Sequence, residues 1–224
     1  MASEDADTQE RIEQDTAPGP TPPAELKDPL VWIDCEMTGL DPDTDVIIEI
    51  YCLITTADLA LVDAGGFGVV VHQPAAVMAA MGEWCTRTHG ASGLTAAVAA
   101  STTSPADAAA QLLAYIRRHV PAPGAGILAG NSIHADRSFL RRPPYNVVTD
   151  HLHYRLLDVS SIKEAARRWS PRAIKKLPSK KGLHKARDDI LESIAEASFY
   201  REMIFQIGEE AAVARAAKNR KHKK

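Results

Sequence analysis

The sequence predicts an α/β domain built on a mixed β-sheet flanked by helices, and three observations predict it. Short runs rich in β-branched and aromatic residues crowd the first half, helical periodicity governs the second, and one short apolar run, GILAG, interrupts the helices. Strands first, then alternating helix, strand and helices, are the pattern of a mixed-sheet domain.

The strand candidates are LVWIDCEM, VIIEIYCLITT and GFGVVVH, separated by the turn signals DPDTD and ADLALVDAGG. Connections this short predict an antiparallel meander, because a parallel crossover needs about a dozen residues or more. Ser104-Pro105 supplies a cap and a first-turn proline, after which Ala109, Leu112, Leu113, Ile116 and Val120 recur at helical spacing until Pro121. GILAG reads as a buried strand, and SIHADRSFL as a helix ending before Pro143-Pro144. Ser161 with Glu164 has the spacing of a capping box for the helix IKEAARRW. A last helix begins near Arg187, with Ile190, Ile194 and Ala197 on one face.

A chain of 224 residues, 45% hydrophobic and 25% charged, suits one soluble domain with tails. The domain is expected over residues 28–210. Residues 1–27, Pro-rich and holding seven acids against two bases, read as a disordered tail, and 211–224 as a basic tail. No run approaches the roughly 18 apolar residues of a membrane span, and the acidic start resembles neither a secretory signal nor a mitochondrial presequence. A cytoplasmic location is therefore expected, with a mitochondrial or nuclear pool left open by the tails. Cys35, Cys52 and Cys85, an odd set without a CxxC pair, suggest reduced thiols rather than disulfides or zinc. The body between the tails carries net −4, which does not advertise long nucleic acid, although residues 163–187 hold ten Lys or Arg against one acid.

Strand period places Asp34 and Glu36 on one face, with Ile33 and Cys35 on the other. Taken alone, the pair is weak evidence of a site and favours the plainer reading, the exposed polar face of a half-buried strand. Two like charges so close raise one pKa unless a cation lies between them, and an oxygen-only set suits Mg²⁺ or Mn²⁺. Asp136 follows the GILAG strand, and if its segment is helical it shares a face with Ser132. His184 precedes the last helix, whose first turn holds Asp188 and Asp189. Helix spacing alone aligns His184 with Asp188; Asp189 joins only if His184 sits on the preceding loop. Carboxylates from a strand, a mid-chain helix and a late helix, with one histidine, are the parts of two-metal phosphoryl chemistry. Two cations about 4 Å apart orient a water and stabilise the attacking and leaving oxygens. His184 has a pKa suited to accepting that water's proton.

D-x-E, then a mid-chain Asp, then H-x4-D resembles the histidine subgroup of the DEDD exonucleases, which share an RNase H-like fold. WIDCEMTGLDP, IIEI, VHQ, W-x3-TH-x2-SGL, GNS-x3-DRSFL, HYRLLDVSSIKEAARRW and H-x-A-x-DDI-x-ES-x-AE are similar, in order, to the oligoribonuclease family. The resemblance implies a 3′→5′ exoribonuclease that degrades very short single-stranded RNA, down to dinucleotides, to nucleoside 5′-monophosphates with two divalent cations. It implies metal ligands at Asp34, Glu36, Asp136 and Asp189, which favours Asp189 over Asp188 on family grounds, and a general base at His184. It further implies that Met37, Thr38 and Gly39 present Leu40 to the bases, that Trp84 stacks on them, and that His89 contacts substrate. Ser132, Arg155 and Ser160 would form a cap around the 5′ phosphate, Arg155 as a clamp. Tyr154 would reach into the partner's site in a homodimer. Tyr51 after EI and the two charged tails depart from the family pattern. The competing readings are a DNA-proofreading or structured-RNA trimming exonuclease with the same acids, and a non-catalytic RNA-binding relative.

Overall fold

The computed structural model describes residues 26–178 and 186–206; His184 and most of both tails lie outside the described residues. Strand β1, Leu30–Met37, pairs antiparallel with β2, Ile47–Thr55, which pairs antiparallel with β3, Phe67–Val70. This is the expected meander, and its register sets Asp34 opposite Tyr51 and Glu36 opposite Glu49. Helices α1 (Ala75–Ala79), α2 (Glu83–Ser92) and α3 (Leu94–Ala100) follow, then α4 (Pro105–His119), capped as the sequence predicts by Ser104 Oγ, which accepts from Asp107 N. The GILAG strand, β4 (Ile127–Gly130), runs parallel to β1. Beyond it come α5 (His134–Leu140), α6 (Asn146–His151), β5 (Leu156–Asp158) parallel to β4, α7 (Val159–Trp169), α8 (Pro171–Ile174) and α9 (Ala186–Tyr200). A π-helical turn, Arg201–Gln206, ends the described chain. The sheet order is β3-β2-β1-β4-β5, a mixed sheet with helices on both faces.

Period 2 along β1 divides the core between those faces. Val31, Ile33 and Cys35 join Ile50, Cys52 and Ile54 of β2 against Leu112 and Ile116 of α4, Leu140 of α5 and Val148 of α6. Leu30 and Trp32 point the other way, with Leu53, onto Val159 and Ala166 of α7 and Ile190, Ile194 and Ala197 of α9. Trp32 is fully buried, and its Nε1 donates to Thr55 Oγ1 at 2.9 Å. Burial of each such side chain contributes roughly 1.5–3 kcal/mol, so the two layers pin β1 from both sides.

Two expectations need correction. The capping box at Ser161 does not form: α7 starts two residues before Ser161, and Asp158 is its cap, accepting from Ser160 N at 3.1 Å and Ser161 Oγ at 2.6 Å. Glu164 spends its carboxylate on Arg167 and Arg168 instead of reaching back. Ser132 and Asp136 do not share a helix face, because Ser132 takes a left-handed φ of 52° and α5 begins at His134. Helices α1–α3 and strand β5 carry too weak a pattern to have been predicted.

Candidate active site

Strand β1 carries Asp34 and Glu36 to the sheet face packed by α9, just beyond the point where Trp32 fills the core. Ile190, Ile194 and Ala197 seat α9 on that face and bring its first turn over the strand. Carboxylate oxygens of Asp34, Glu36 and Asp189 consequently lie within 4.8 Å of one another. Asp188, one residue earlier, lines a neighbouring cavity of about 330 Å³ with Glu49, Tyr51 and Arg187. Asp136, in the first turn of α5, is buried, and its Oδ1 accepts from Cys35 N at 2.9 Å. That bond ties the helix after β4 to the strand between the two β1 acids.

The electrostatics of this group are unfavourable without a cation. Burial, followed by repulsion from Asp136, Glu36, Asp189 and Glu49, holds Asp34 well above the usual carboxylate range. Burial also pushes Glu36 up to about 7, reinforced by Glu49, Asp189 and Asp136. Asp136 likewise rises to about 7 by burial, although the hydrogen bond from Cys35 N acts in the opposite sense. Among the described residues, every charge that shifts Asp34 and Glu36 is negative. Buried, mutually repelling oxygen donors are a set that divalent cations satisfy, so the residues present fit the implied metals.

Glu49 was not singled out from the sequence. Only the antiparallel register, which places it opposite Glu36, reveals that it faces the acids.

Around the acids, a β-bulge between Glu36 and Met37 breaks the register and starts a tight turn. Thr38 is buried there, donating its hydroxyl to Asp45 Oδ1 at 2.9 Å and accepting from Val46 N at 3.0 Å. A Cβ on Gly39 would stand 2.3 Å from the Asp45 carboxylate and would push it off the Thr38 hydroxyl and the Asp41 N–H that it accepts from. The turn projects Leu40 outward at 86% exposure, and Trp84 on α2 is 55% exposed. His89, on the same helix, is buried instead: one ring nitrogen lies 3.0 Å from the Met37 carbonyl and the other 3.9 Å from Glu36 Oε2.

At the ends of β4 and β5, Ser132 Oγ donates to Ser160 Oγ at 3.1 Å, which donates to Asn131 Oδ1 at 3.2 Å. Tyr154, 68% exposed, stacks on His153 at 4.5 Å between centroids, with the Arg155 guanidinium 5.1 Å from its ring centre.

Three comparisons with known proteins bear on this arrangement. The RNase T family model, described as exonuclease, matches residues 31–197. An oligoribonuclease of Streptomyces avermitilis is 48% identical over 192 residues, covering 85% of this chain and 94% of the relative. An oligoribonuclease of Mycobacterium avium is 50% identical over 180 residues, covering 80% and 83%. A mitochondrial oligoribonuclease of Homo sapiens is 46% identical over 179 residues, covering 79% and 73%. Among solved structures, one of exonuclease I aligns with a TM-score of 0.59 at 17% identity, covering 78% of this chain and 41% of the other. Escherichia coli exonuclease I in complex with a 5cy-dT13 oligonucleotide aligns at 0.57 and 17% identity, covering 83% and 43%. The chain thus spans less than half of these two structures, and their likeness is one of fold. Among the described residues no helix is long and apolar enough to cross a membrane.

Proposed function

The chain belongs to the oligoribonuclease family of exonucleases, and from that premise we propose that it is a 3′→5′ exoribonuclease of very short RNAs. Its substrates are single-stranded oligoribonucleotides down to dinucleotides, and its products nucleoside 5′-monophosphates. The observation that carries the reading is the approach of Asp34, Glu36 and Asp189 to within 4.8 Å, on a face where burial raises the pKa values of Asp34 and Glu36.

Asp34, Glu36, Asp136 and Asp189 would hold two divalent cations, Mg²⁺ or Mn²⁺. When bound, these supply the positive charge that orients the attacking water and stabilises an in-line displacement at phosphorus. His184, just outside the described residues, accepts the proton of the attacking water. Leu40 and Trp84 offer unpaired bases an apolar wedge and a stacking surface, which their exposure permits. His89, given its buried contacts, supports this region by holding the Met37 carbonyl beside Glu36. Ser132, Ser160 and Arg155 bind the 5′ phosphate, and Tyr154 completes the site of a second subunit in a homodimer. The catalytic unit is a single domain over residues 28–210, between an acidic tail (1–27) and a basic one (211–224), working in the cytoplasm or in a mitochondrial or nuclear pool.

The deciding experiment is a series of initial rates on RNA from two to about ten nucleotides, with Mg²⁺ or Mn²⁺ and with EDTA. Efficiency highest on the shortest RNAs and abolished by EDTA supports the reading. Equal degradation of long RNA, or of DNA, favours the trimming alternative, and inactivity on every short RNA favours a binding role.

A further inference from the structure

The proposed site leaves one carboxylate unexplained. Asp158, at the end of β5, accepts through a single oxygen, Oδ1, from Ser132 N at 2.9 Å and Ser160 N at 3.1 Å, while Oδ2 accepts from Ser161 Oγ at 2.6 Å. An N-cap of α7 needs only the bonds to its own first turn. The bond to Ser132 reaches a different segment, 26 residues earlier, and clamps it in a left-handed conformation with φ of 52°. That conformation is unfavourable for a residue with a Cβ and persists only where the surroundings enforce it. Its consequence is that Ser132 Oγ and Ser160 Oγ stand 3.1 Å apart, just beyond the paired ends of β4 and β5, where this carboxylate and the Asn131 side chain tie the two segments together. Asn131 is itself fixed from behind, donating to Ser193 Oγ at 2.8 Å and to buried Glu196 at 3.4 Å.

We infer that Asp158 is a positioning residue for substrate, one that builds the paired-hydroxyl seat for the terminal phosphate and so sets the enzyme's preference for 5′-phosphorylated over 5′-hydroxyl dinucleotides. The inference rests on the reading of Ser132 and Ser160 as the 5′-phosphate cap. Asp158 touches no phosphate itself. With both oxygens occupied by three donors, its charge is spent on the scaffold rather than turned against the ligand.

The test compares kcat/KM on a 5′-phosphorylated RNA dinucleotide with that on the same dinucleotide bearing a 5′ hydroxyl, using the full chain with Mg²⁺. Asp158→Ala should lower the ratio of the two by about tenfold or more, the scale of a lost hydrogen bond to a charged group. Asp158→Asn keeps an acceptor oxygen for both backbone N–H groups and should restore most of that ratio. A purely structural cap of α7 would lower both substrates alike, so an unchanged ratio in Asp158→Ala overturns the inference. Ser132→Ala and Ser160→Ala separate the two levels. If they lower the ratio and Asp158→Ala does not, the positioning role alone fails. If neither serine variant changes it, the phosphate-cap reading falls and the inference with it.

Discussion

Stripping divalent cations should make this protein less stable as the pH rises toward 8, opposite to the trend that ordinary surface carboxylates produce. Burial and neighbouring carboxylates raise Glu36 from 4.5 to about 7, and burial raises Asp136 from 3.8 to about 7. Between those limits the folded, metal-free chain keeps protons that the unfolded chain has released. Stability from these groups is therefore full below the ordinary carboxylate range and is lost as pH climbs through about 7. One pKa unit corresponds to about 1.4 kcal/mol, so either group alone loses on the order of 3 kcal/mol. Because the Asp136 charge is itself one cause of the Glu36 shift, the two losses do not simply add. Against a total stability of roughly 5–15 kcal/mol the loss is large. Urea melts of EDTA-treated protein at pH 5 and pH 8 measure it directly. Mg²⁺ at a hundred times its Kd should return about 2.7 kcal/mol at pH 8 and much less at pH 5, where protons compete for the same oxygens. Asp136→Asn, which keeps the acceptor for Cys35 N, should be more stable than the native chain at pH 8 without metal, yet inactive. Equal stability of the stripped native protein at both pH values, or equal Mg²⁺ stabilisation at both, refutes the assignment of these acids to a cation site.

Two further substitutions separate support of the metals from support of the bases. His89→Ala removes the ring that bridges the Met37 carbonyl and Glu36, and Mg²⁺ titrations of activity should show half-saturation shifted upward by about tenfold or more; an unchanged Mg²⁺ requirement contradicts that role. Trp84→Ala on the exposed face of α2 should leave stability within about 0.5 kcal/mol while raising KM for a dinucleotide roughly tenfold through lost stacking, and an unaltered KM rules out a stacking role.

What the sequence made legible, and what it hid, follows from how far each signal reaches. The β1–β3 meander, α4 and the buried stripe of α9 were readable because their periodicity is local and strong. The Asp34–Glu36 face was readable for the same reason. That Asp189 rather than Asp188 lies within 4.8 Å of Asp34 and Glu36 depends on how α9 is rotated against the sheet, which no spacing within HKARDD specifies; only the family resemblance pointed to Asp189. Helices α1–α3 escaped because their buried residues are few: none in α1, His89 in α2, Leu94 and Val98 in α3. Glu49 escaped because its orientation toward Glu36 is a property of strand register. Asp158 was masked by Ser161 and Glu164, which offer the same capping chemistry a turn later and lose to it because Ser161 already donates to the carboxylate.

The charge balance of the chain takes on a physical meaning in this light. The body between the tails carries net −4, an unpromising surface for a phosphate polymer. Three acids, Asp34, Glu36 and Asp189, converge within 4.8 Å, and Asp136 is near enough to repel Asp34 and Glu36; two divalent cations there would cancel their charge locally. Attraction for RNA would then come from the cations rather than from a basic track along the fold. Such a site grips the reacting phosphate and has little hold on distant ones, so long RNA gains no extra affinity from its additional charges. A hydroxyl seat held open by Asp158 would add a second short-range contact of the same kind. Selection for the shortest substrates would then follow if a dinucleotide reaches both points at once, and longer RNA would gain nothing from its added charges.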